Sequence, residues 1–245
     1  MKNISLTCLV SLLLTSCLYG FYDRYASLKT SSTLVPGQLI VGIEHRFLGP
    51  INENPGDTLL GTSTGASVKT STRIALMDGM DIEGSLSSQQ KEYYLGMNYN
   101  LPLIEFATTQ LSLFYNTFKL SSISERKHHA LSIFSLQTKY PLSIGNIPIH
   151  TALNIISGTY EHGPSVSIGC DATLLEDFHV LSTYWIARDA SLTHTYSIGI
   201  LYQTFGHNFF LNIQNNPVTG LRLISKGSES DKWYLGFGIE RILEW

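Results

Sequence analysis

Apolar and polar residues alternate with a period of two along most of this chain. Residues 165–174 show the pattern most clearly. One row there is apolar, with Val166, Ile168, Cys170, Ala172 and Leu174, and the other is polar or small, with Ser165, Ser167, Gly169, Asp171 and Thr173. This alternation predicts a β-strand whose two faces lie in unlike environments. No segment shows the sustained spacing of apolar residues that predicts a helix.

The alternation predicts about twelve strands of about ten residues each, the length that crosses a bilayer when tilted. The first is residues 37–47 and the last is residues 233–245. Residues 130–140 are included although their alternation is not clean, and residues 140–147 are interpreted as a turn. The long or polar connections are 48–66, 121–129, 158–164 and 215–231, and the short turns lie near residues 78, 103, 175 and 205.

The last predicted strand has the most informative pair of faces. One face carries Trp233, Leu235, Phe237, Ile239, Arg241, Leu243 and Trp245, and the other carries Tyr234, Gly236, Gly238, Glu240, Ile242 and Glu244. An apolar face with aromatic residues at both ends is typical of a strand that faces lipid in an outer-membrane β-barrel. The alternative is the final strand of a soluble periplasmic β-protein. An even number of strands with alternating connection lengths favours the barrel, with both termini periplasmic.

Composition supports a barrel and excludes some partners. The chain is 43% hydrophobic but only 14% charged, against a charged fraction of about 25% in globular proteins. Barrel strands need apolar residues for lipid and uncharged polar residues for the lumen. The net charge of −3 argues against nucleic acid, which requires clusters of Lys and Arg.

The first residues predict export. A basic start at Lys2, an apolar run from Ile4 to Leu14 and small residues up to Gly20 indicate a secretory signal peptide. The apolar run is too short to span a membrane as a helix. We therefore assign residues 1–20 to a signal peptide, 21–36 to a periplasmic lead-in and 37–245 to the barrel.

The cleavage point has two interpretations. Leu14-Thr15-Ser16-Cys17 fits a lipoprotein signal, which would make Cys17 a site of lipidation. The alternative is an ordinary cut near Gly20, which we favour because an integral barrel needs no lipid anchor. Either way too few cysteines remain for a disulfide framework or for a metal site built on Cys.

Two places resemble a known family. The first is His45-Arg46-Phe47 near the end of the first strand. The second is His207-Asn208-Phe209 in a strand that ends at Asn215, followed by the Gly236–Arg241 stretch. Together they resemble an uncharacterised family of Gram-negative outer-membrane β-barrel proteins, although Gly238 stands where that family's pattern has Asn. The motifs cover only the two ends of the chain. The resemblance implies a barrel in the outer membrane but implies no activity.

Charged residues are predicted on the lumen side of several strands. This lumen charge cluster consists of Glu44, Arg46, Arg73, Glu83, Glu92, Asp171 and Glu240. Closure of the first strand against the last would bring Glu44 and Arg46 beside Glu240, and Arg73 could pair with Glu44. One interpretation is a structural network of ion pairs that fills a small lumen. The other is a charged constriction that selects small solutes.

Catalytic and metal sites are weakly indicated. His194 and Ser182 could face outward on neighbouring strands, as in outer-membrane phospholipases, but no suitable His-x-Ser with an adjacent Asn accompanies them. The pair His128-His129 lies in the charged segment 121–129 and could bind a metal, although lone loop histidines are usually solvated. We therefore predict a non-enzymatic protein without a metal site or cofactor.

The sequence thus predicts an all-β protein, a single antiparallel transmembrane β-barrel in the outer membrane. Its predicted function is a narrow pore or transport-associated barrel for small solutes. The alternative is a plugged structural or partner-binding barrel of an envelope complex, using loops 48–66 and 215–231. Expected partners are outer-membrane lipid and the barrel-assembly machinery, which would recognise the C-terminal strand ending at Trp245.

Overall fold

The computed structural model describes residues 24–25, 28–120, 125–158 and 163–245. The predicted signal peptide and the possible lipidation at Cys17 lie outside the described residues. The predictions that concern strands, lumen and loops lie almost entirely within them.

Twelve strands form the barrel. They are β1 (Gln38–Pro50), β2 (Ala66–Met77), β3 (Met80–Ser87), β4 (Glu92–Leu101), β5 (Ala107–Lys119), β6 (Arg126–Thr138), β7 (Ile147–Ser157), β8 (Ser165–Leu175), β9 (Phe178–Trp185), β10 (Thr195–Thr204), β11 (His207–Gln214) and β12 (Tyr234–Glu244). Each pairs antiparallel with its neighbours in sequence. β12 also pairs with β1, with Phe237 opposite His45 and Ile239 opposite Ile43. The sheet therefore closes into a twelve-stranded barrel, which confirms the predicted fold.

The two ends of the barrel differ in their connections. The loop end carries connections 51–65, 88–91, 120–125, 158–164, 186–194 and 215–233. The turn end carries connections 78–79, 102–106, 139–146, 176–177 and 205–206, together with the start of β1 and the end of β12. The two longest connections, 51–65 and 215–233, lie at the loop end as predicted. The alternation is imperfect, because 88–91 at the loop end is short and 139–146 at the turn end is longer than 120–125 and 158–164.

Opposite faces of each strand meet opposite environments, as the alternation predicts. In β8 the side chains of Ser165, Ser167 and Asp171 are buried, whereas Ile168 is 53% exposed. Large apolar side chains are exposed around the whole outer surface, and exposed aromatic residues lie near both ends. Those near the loop end are Tyr93, Tyr115 and Tyr184, and those near the turn end are Tyr99, Phe106, Tyr140, Tyr202, Phe205 and Trp245. This is the outer surface expected of a barrel that faces lipid.

One short helix was not predicted. Helix α1 (Leu221–Lys226) lies in the long connection between β11 and β12, which the sequence analysis interpreted as an irregular loop. Six residues are too few to show a helical period. Among the described residues, no helix has the length and apolar character needed to cross a membrane.

Two predicted connections are wrong in part. The charged segment 121–129 was predicted as a loop, but its last four residues begin β6, where Arg126 pairs with Lys119. The predicted turn 140–147 contains an extra strand, Leu142–Ile144, which pairs with the start of β7. β6 itself lacks clean alternation because its inward residues Leu131 and Ile133 are also apolar and buried.

Candidate functional site

The lumen wall is polar and charged, and it is the candidate functional site. All seven residues of the lumen charge cluster are buried: Glu44, Arg46, Arg73, Glu83, Glu92, Asp171 and Glu240. Buried uncharged residues accompany them along the same strands, including Asn98, Gln110, Ser112, Asn116 and Asn208. A role of the cluster as a constriction for solutes stays a prediction.

The buried charges form ion pairs. Arg46 Nη2 lies 2.7 Å from Glu44 Oε1, and Arg73 Nη2 lies 2.7 Å from Asp81 Oδ2. Because a charge removed from water must be paired or hydrogen-bonded, these contacts explain how the wall can hold charges. The expected partner of Arg73 was Glu44, but its partner is Asp81. Asp81 lies on the same face of β3 as Glu83, the residue opposite Arg73.

A chain of hydrogen bonds runs around the wall from β8 to β12. His179 Nδ1–H donates to Asp171 Oδ1 at 3.0 Å, and His179 Nε2 lies 3.2 Å from Gln203 Oε1. Gln203 Nε2 donates to Asn208 Oδ1, and Asn208 Nδ2 donates to Glu240 Oε2. The predicted lumen residues Asp171 and Glu240 are thus connected through three residues that the sequence analysis did not assign to the site.

The lumen is occupied at the turn end by residues 30–36, which we name the inner closure. Arg73 donates from Nε and Nη2 to the two oxygens of Asp81, each at 2.7 Å, and from Nη2 to the backbone oxygen of Ser32. The backbone N–H of Leu34 donates to Asp81 Oδ2 at 3.2 Å. Leu34 itself is 1% exposed. The Arg73–Asp81 pair therefore fixes the inner closure to β2 and β3.

The inner closure also reaches the next three strands. Asn100 Nδ2 donates to Thr33 Oγ1 at 2.7 Å, and Gln110 Nε2 donates to the backbone oxygen of Ser32 at 3.3 Å. The Ser31 backbone N–H and hydroxyl both donate to Gln137 Oε1 at 3.2 Å. The sequence analysis assigned this segment to a lead-in. In the structure it crosses the wall from β2 to β6 inside the barrel.

The lumen is occupied at the loop end by residues 216–228, which we name the outer closure and which contain α1. The central contact is Arg222. Its Nε donates to Glu92 Oε1 at 3.2 Å, its guanidinium carbon lies 3.8 Å from the ring centroid of Phe118, and its Nη2 contacts Gln90. The Arg222 backbone N–H donates to the Tyr94 hydroxyl at 2.9 Å. One residue thereby fixes the outer closure to β4 and β5.

Arg188 fixes the opposite side of the outer closure. Its Nε donates to the backbone oxygen of Ser225 at 3.0 Å, and its Nη2 donates to the backbone oxygen of Arg222 at 3.2 Å. A basic side chain on the last carbonyls of a helix satisfies them and complements the helix dipole. Burial and the charge of Arg222 lower the pKa of Arg188 to about 10, so it remains protonated at neutral pH.

Wall residues complete the binding of the outer closure. Arg46 Nη1 donates to the backbone oxygen of Val218 at 3.2 Å. The hydroxyl of Thr219 lies 2.9 Å from the hydroxyls of both Ser67 and Ser87. Arg46, a predicted lumen residue, therefore contacts both Glu44 and the outer closure.

Part of the lumen is filled by apolar packing. Ile224 of α1 joins a buried cluster with Tyr94, Phe114, Leu131, Ile133, Ala152, Ile156, Leu181, Trp185, Leu201 and Phe210. Val218 and Leu221 pack against the same cluster. The outer closure is thus amphipathic, because it presents Arg222 to a charged wall and Ile224 to an apolar one.

Gly220, directly before α1, allows the closest approach of the outer closure to the wall. A Cβ at this position would overlap Glu92 Oε2, although the backbone conformation, with φ −75°, suits any residue. We expect Gly220→Ala to weaken docking of the outer closure without changing any charge. Trypsin cleavage after Lys226 should then accelerate at least tenfold in the folded barrel. Gly56→Ala at the same end of the barrel is the control, because a Cβ there meets no atom within 4 Å, and equal cleavage of Gly220→Ala and the parent would contradict the expectation.

The residues considered above for catalysis or metal binding are separated from the lumen or from each other. His194 lies in the connection before β10 and accepts a hydrogen bond from the Ala187 backbone N–H at 3.0 Å. His128 stacks on Tyr115, whereas His129 stacks on Phe118. Neighbouring residues on a strand point to opposite faces, so the two histidines of the pair do not converge. Within the described ranges, no three His, Cys, Asp or Glu side chains are placed to hold a metal ion.

Comparison with known proteins identifies the fold. No protein-family model matches the chain, and no curated protein matches it. Among solved structures, a KdgM porin in complex with disordered oligogalacturonate matches with a TM-score of 0.54 at 8% identity, over 82% of this chain and 98% of the porin. A second KdgM porin structure matches with a TM-score of 0.52 at 8% identity, over 83% and 98% of the two chains.

The chain has the fold of an outer-membrane porin. The outer membrane protein Omp33 of Acinetobacter baumannii also matches, at 9% identity with a TM-score of 0.49, over 86% of this chain and 99% of Omp33. At these identities the likeness concerns the fold alone. The two KdgM porin structures confirm the barrel fold that the resemblance implies, and the function is left to be inferred from the lumen.

Proposed function

We propose that this protein is a narrow outer-membrane pore for small polar solutes, and that the structure is its closed state. The inner closure occupies the lumen at one end and the outer closure occupies it at the other. The proposal includes residence in the outer membrane, contact with its lipid, and recognition of the strand that ends at Trp245 by the barrel-assembly machinery.

The observation that carries the proposal is the chemistry between the closures and the wall. Arg46, Arg73 and Arg188 bind the closures through backbone oxygens, and Arg222 of the outer closure binds Glu92 of the wall. Water can replace such contacts when a closure leaves, and a wetted wall of Glu, Arg, Asn and Ser suits the passage of polar solutes. A lumen built only for stability gains little from buried charges, because hydrophobic residues of equal volume often stabilise as well or better.

A second candidate is a permanently plugged barrel that binds an envelope partner. The apolar cluster around Ile224 and Trp185 favours it, because 0% exposure at Trp185 and 3% at Ile224 indicate tight packing of the outer closure. In that case the connections 51–65 and 215–233 at the loop end would bind the partner. Both candidates are non-enzymatic.

Conductance across a planar bilayer separates the two candidates. We compare the parent with a variant in which a short Gly-Ser linker replaces residues 216–228 and with a second variant that also lacks residues 21–36. A pore predicts rare steps for the parent and frequent ohmic steps, at least tenfold more current, for the double variant. Heat-modifiable migration on a gel must first show that each barrel is folded. A folded double variant that stays silent would rule out the pore and leave the plugged barrel.

A further inference from the structure

Basic side chains are concentrated on the outer surface of one sector at the loop end. Lys119 and Arg126 lie directly opposite each other on β5 and β6, and His128 lies opposite Thr117 on the same pair of strands. Lys91 precedes β4 next to them. We name Lys91, Lys119, Arg126 and His128 the basic rim.

The pairing of Lys119 with Arg126 is unfavourable in the protein alone. Like charges directly opposite each other on neighbouring strands destabilise a sheet. Neither side chain forms an ion pair with a carboxylate of the described residues, and Lys91 forms none there either. An anion placed between the two cations would turn this repulsion into attraction. The arrangement therefore points to a negatively charged ligand.

Arg126 is held in a position suited to such a ligand. Its guanidinium carbon lies 4.8 Å from the ring centroid of Tyr93. Its Nη1 donates to the backbone oxygen of Lys91 at 3.0 Å and to Thr117 Oγ1 at 2.9 Å. These contacts use one nitrogen, and no hydrogen bond from Nε or Nη2 is present among the described residues. Nε and Nη2 form the edge with which arginine binds phosphate or carboxylate in a bidentate manner. Since the side chain is fixed beforehand, little conformational entropy remains to be lost on binding.

The position of the basic rim relative to the membrane indicates the class of ligand. Tyr115 donates or accepts a hydrogen bond at 2.6 Å with His128 Nδ1, and Tyr93 lies beneath Arg126. Leu95 and Leu113, further along the same strands, are 64% and 48% exposed on the outer surface. Tyrosines at this position mark the interface between hydrocarbon and headgroups, so the basic rim lies at the level of the headgroups.

The rest of the loop end is different. Lys232, near the start of β12, pairs with Glu53 at 2.6 Å, and the hydrogen bond and charge of Glu53 raise the pKa of Lys232. Its charge is therefore already compensated by the protein. Lys119 on β5 and Arg126 on β6 have no such carboxylate partner among the described residues.

We infer that the basic rim binds the phosphate-bearing headgroup of an anionic lipid in the leaflet at the loop end. Arg126 would hold the phosphate through Nε and Nη2, and Lys119 and Lys91 would supply further positive charge. The lipid chains would lie along Leu95 and Leu113. This inference uses the placement of the barrel in a membrane, but it does not depend on whether the lumen conducts.

Binding of lipid A to the full chain in detergent, counted by native mass spectrometry, tests the inference. We expect the parent to bind bisphosphorylated lipid A at least tenfold more tightly than the same lipid without phosphates. Lys119→Gln with Arg126→Gln should remove this preference. The double variant should still fold, because it relieves a repulsion between opposed like charges.

Two matched controls test the position of the site. Lys139 lies 5.7 Å from the ring centroid of Tyr140 at the turn end, so Lys139→Gln removes a similar cation from the wrong end. Lys127→Gln removes a charge from the other face of β6. Both should keep the preference for phosphate. Equal binding by the parent and the double variant, equal binding of the two lipids, or equal loss in the controls would overturn the inference. A silent barrel that retains this preference would refute the pore without affecting the lipid site.

Discussion

Arg222→Ala is expected to release the outer closure while the barrel remains folded. The substitution removes the ion pair with Glu92 and the contact with the Phe118 ring, and it leaves Glu92 buried without its counter-charge. Removing one partner of a buried pair costs about 3–5 kcal/mol. Part of this cost is avoided when the closure leaves and water reaches Glu92, so a shift of the closure equilibrium by about a hundredfold is expected, which corresponds to about 3 kcal/mol.

Two measurements record the release of the outer closure. Trypsin should cleave after Lys226 much faster in the variant than in the parent, because Lys226 is only partly accessible while α1 is docked. Conductance should rise in parallel if the lumen is a pore. The protease assay reports release of the outer closure even in a barrel that does not conduct. It therefore separates release of the closure from conductance.

Two further variants test whether loss of the Arg222–Glu92 ion pair causes release of the outer closure. Arg222→Lys keeps the charge but loses the planar group that contacts Glu92 and the Phe118 ring, so we expect an intermediate cleavage rate. Glu92→Gln removes the uncompensated charge, so Arg222→Ala added to it should have a smaller effect than Arg222→Ala alone. Cleavage of Arg222→Ala at the parent rate would show that the apolar packing of Ile224 holds the closure by itself.

The barrel could be predicted from sequence because each strand meets lipid on one face. In β8 the outward residues Ile168 and Leu174 alternate with inward Ser167 and Asp171, and in β12 Ile239 alternates with Glu240. A period of two is visible when the two faces differ in this way. Burial of the lumen residues in the structure follows from the same rule, since each was placed on the face opposite an exposed apolar residue.

The closures could not be predicted because their contacts are not periodic. Arg222 meets Glu92 across 130 positions of the chain, and the backbone oxygen of Ser32 meets Arg73 across 41. Neither segment carries a pattern that shows which face of the wall it binds. β6 had an unclear pattern for the related reason that Leu131 and Ile133 face an apolar sector of the lumen. The weak alternation of β6 indicates that an apolar part of the outer closure fills that sector.

The inner and outer closures rest on different physical interactions. The outer closure combines the Arg222–Glu92 pair with apolar packing through Ile224, so losing either interaction leaves the other. The inner closure depends mainly on polar contacts, with Leu34 as its buried apolar residue. Since hydrogen bonds exchange with water at a small net cost, the inner closure should depend more strongly on a single ion pair.

Arg73→Ala is therefore expected to destabilise the protein and free the inner closure. Asp81 is 0% exposed. Among the described residues it would keep the Asn98 donor at 2.6 Å, and the Leu34 donor at 3.2 Å only while the inner closure stays in place. The expected cost is about 3–5 kcal/mol of unfolding free energy. Urea unfolding in lipid vesicles, followed by tryptophan fluorescence, measures it. Trypsin cleavage after Lys29 in the folded barrel measures release of the inner closure.

A second substitution tests whether the unpaired buried charge of Asp81 causes the loss of stability in Arg73→Ala. Arg73→Ala combined with Asp81→Asn removes the charge that Arg73→Ala leaves unpaired, so it should recover a large part of the lost stability. It should not restore the inner closure, because the contact of Arg73 with the Ser32 oxygen stays absent. Recovery of stability with continued cleavage after Lys29 would therefore separate the two roles of Arg73. A cost below about 1 kcal/mol for Arg73→Ala would instead indicate that water reaches Asp81 in the parent, as expected for a pair exposed to solvent.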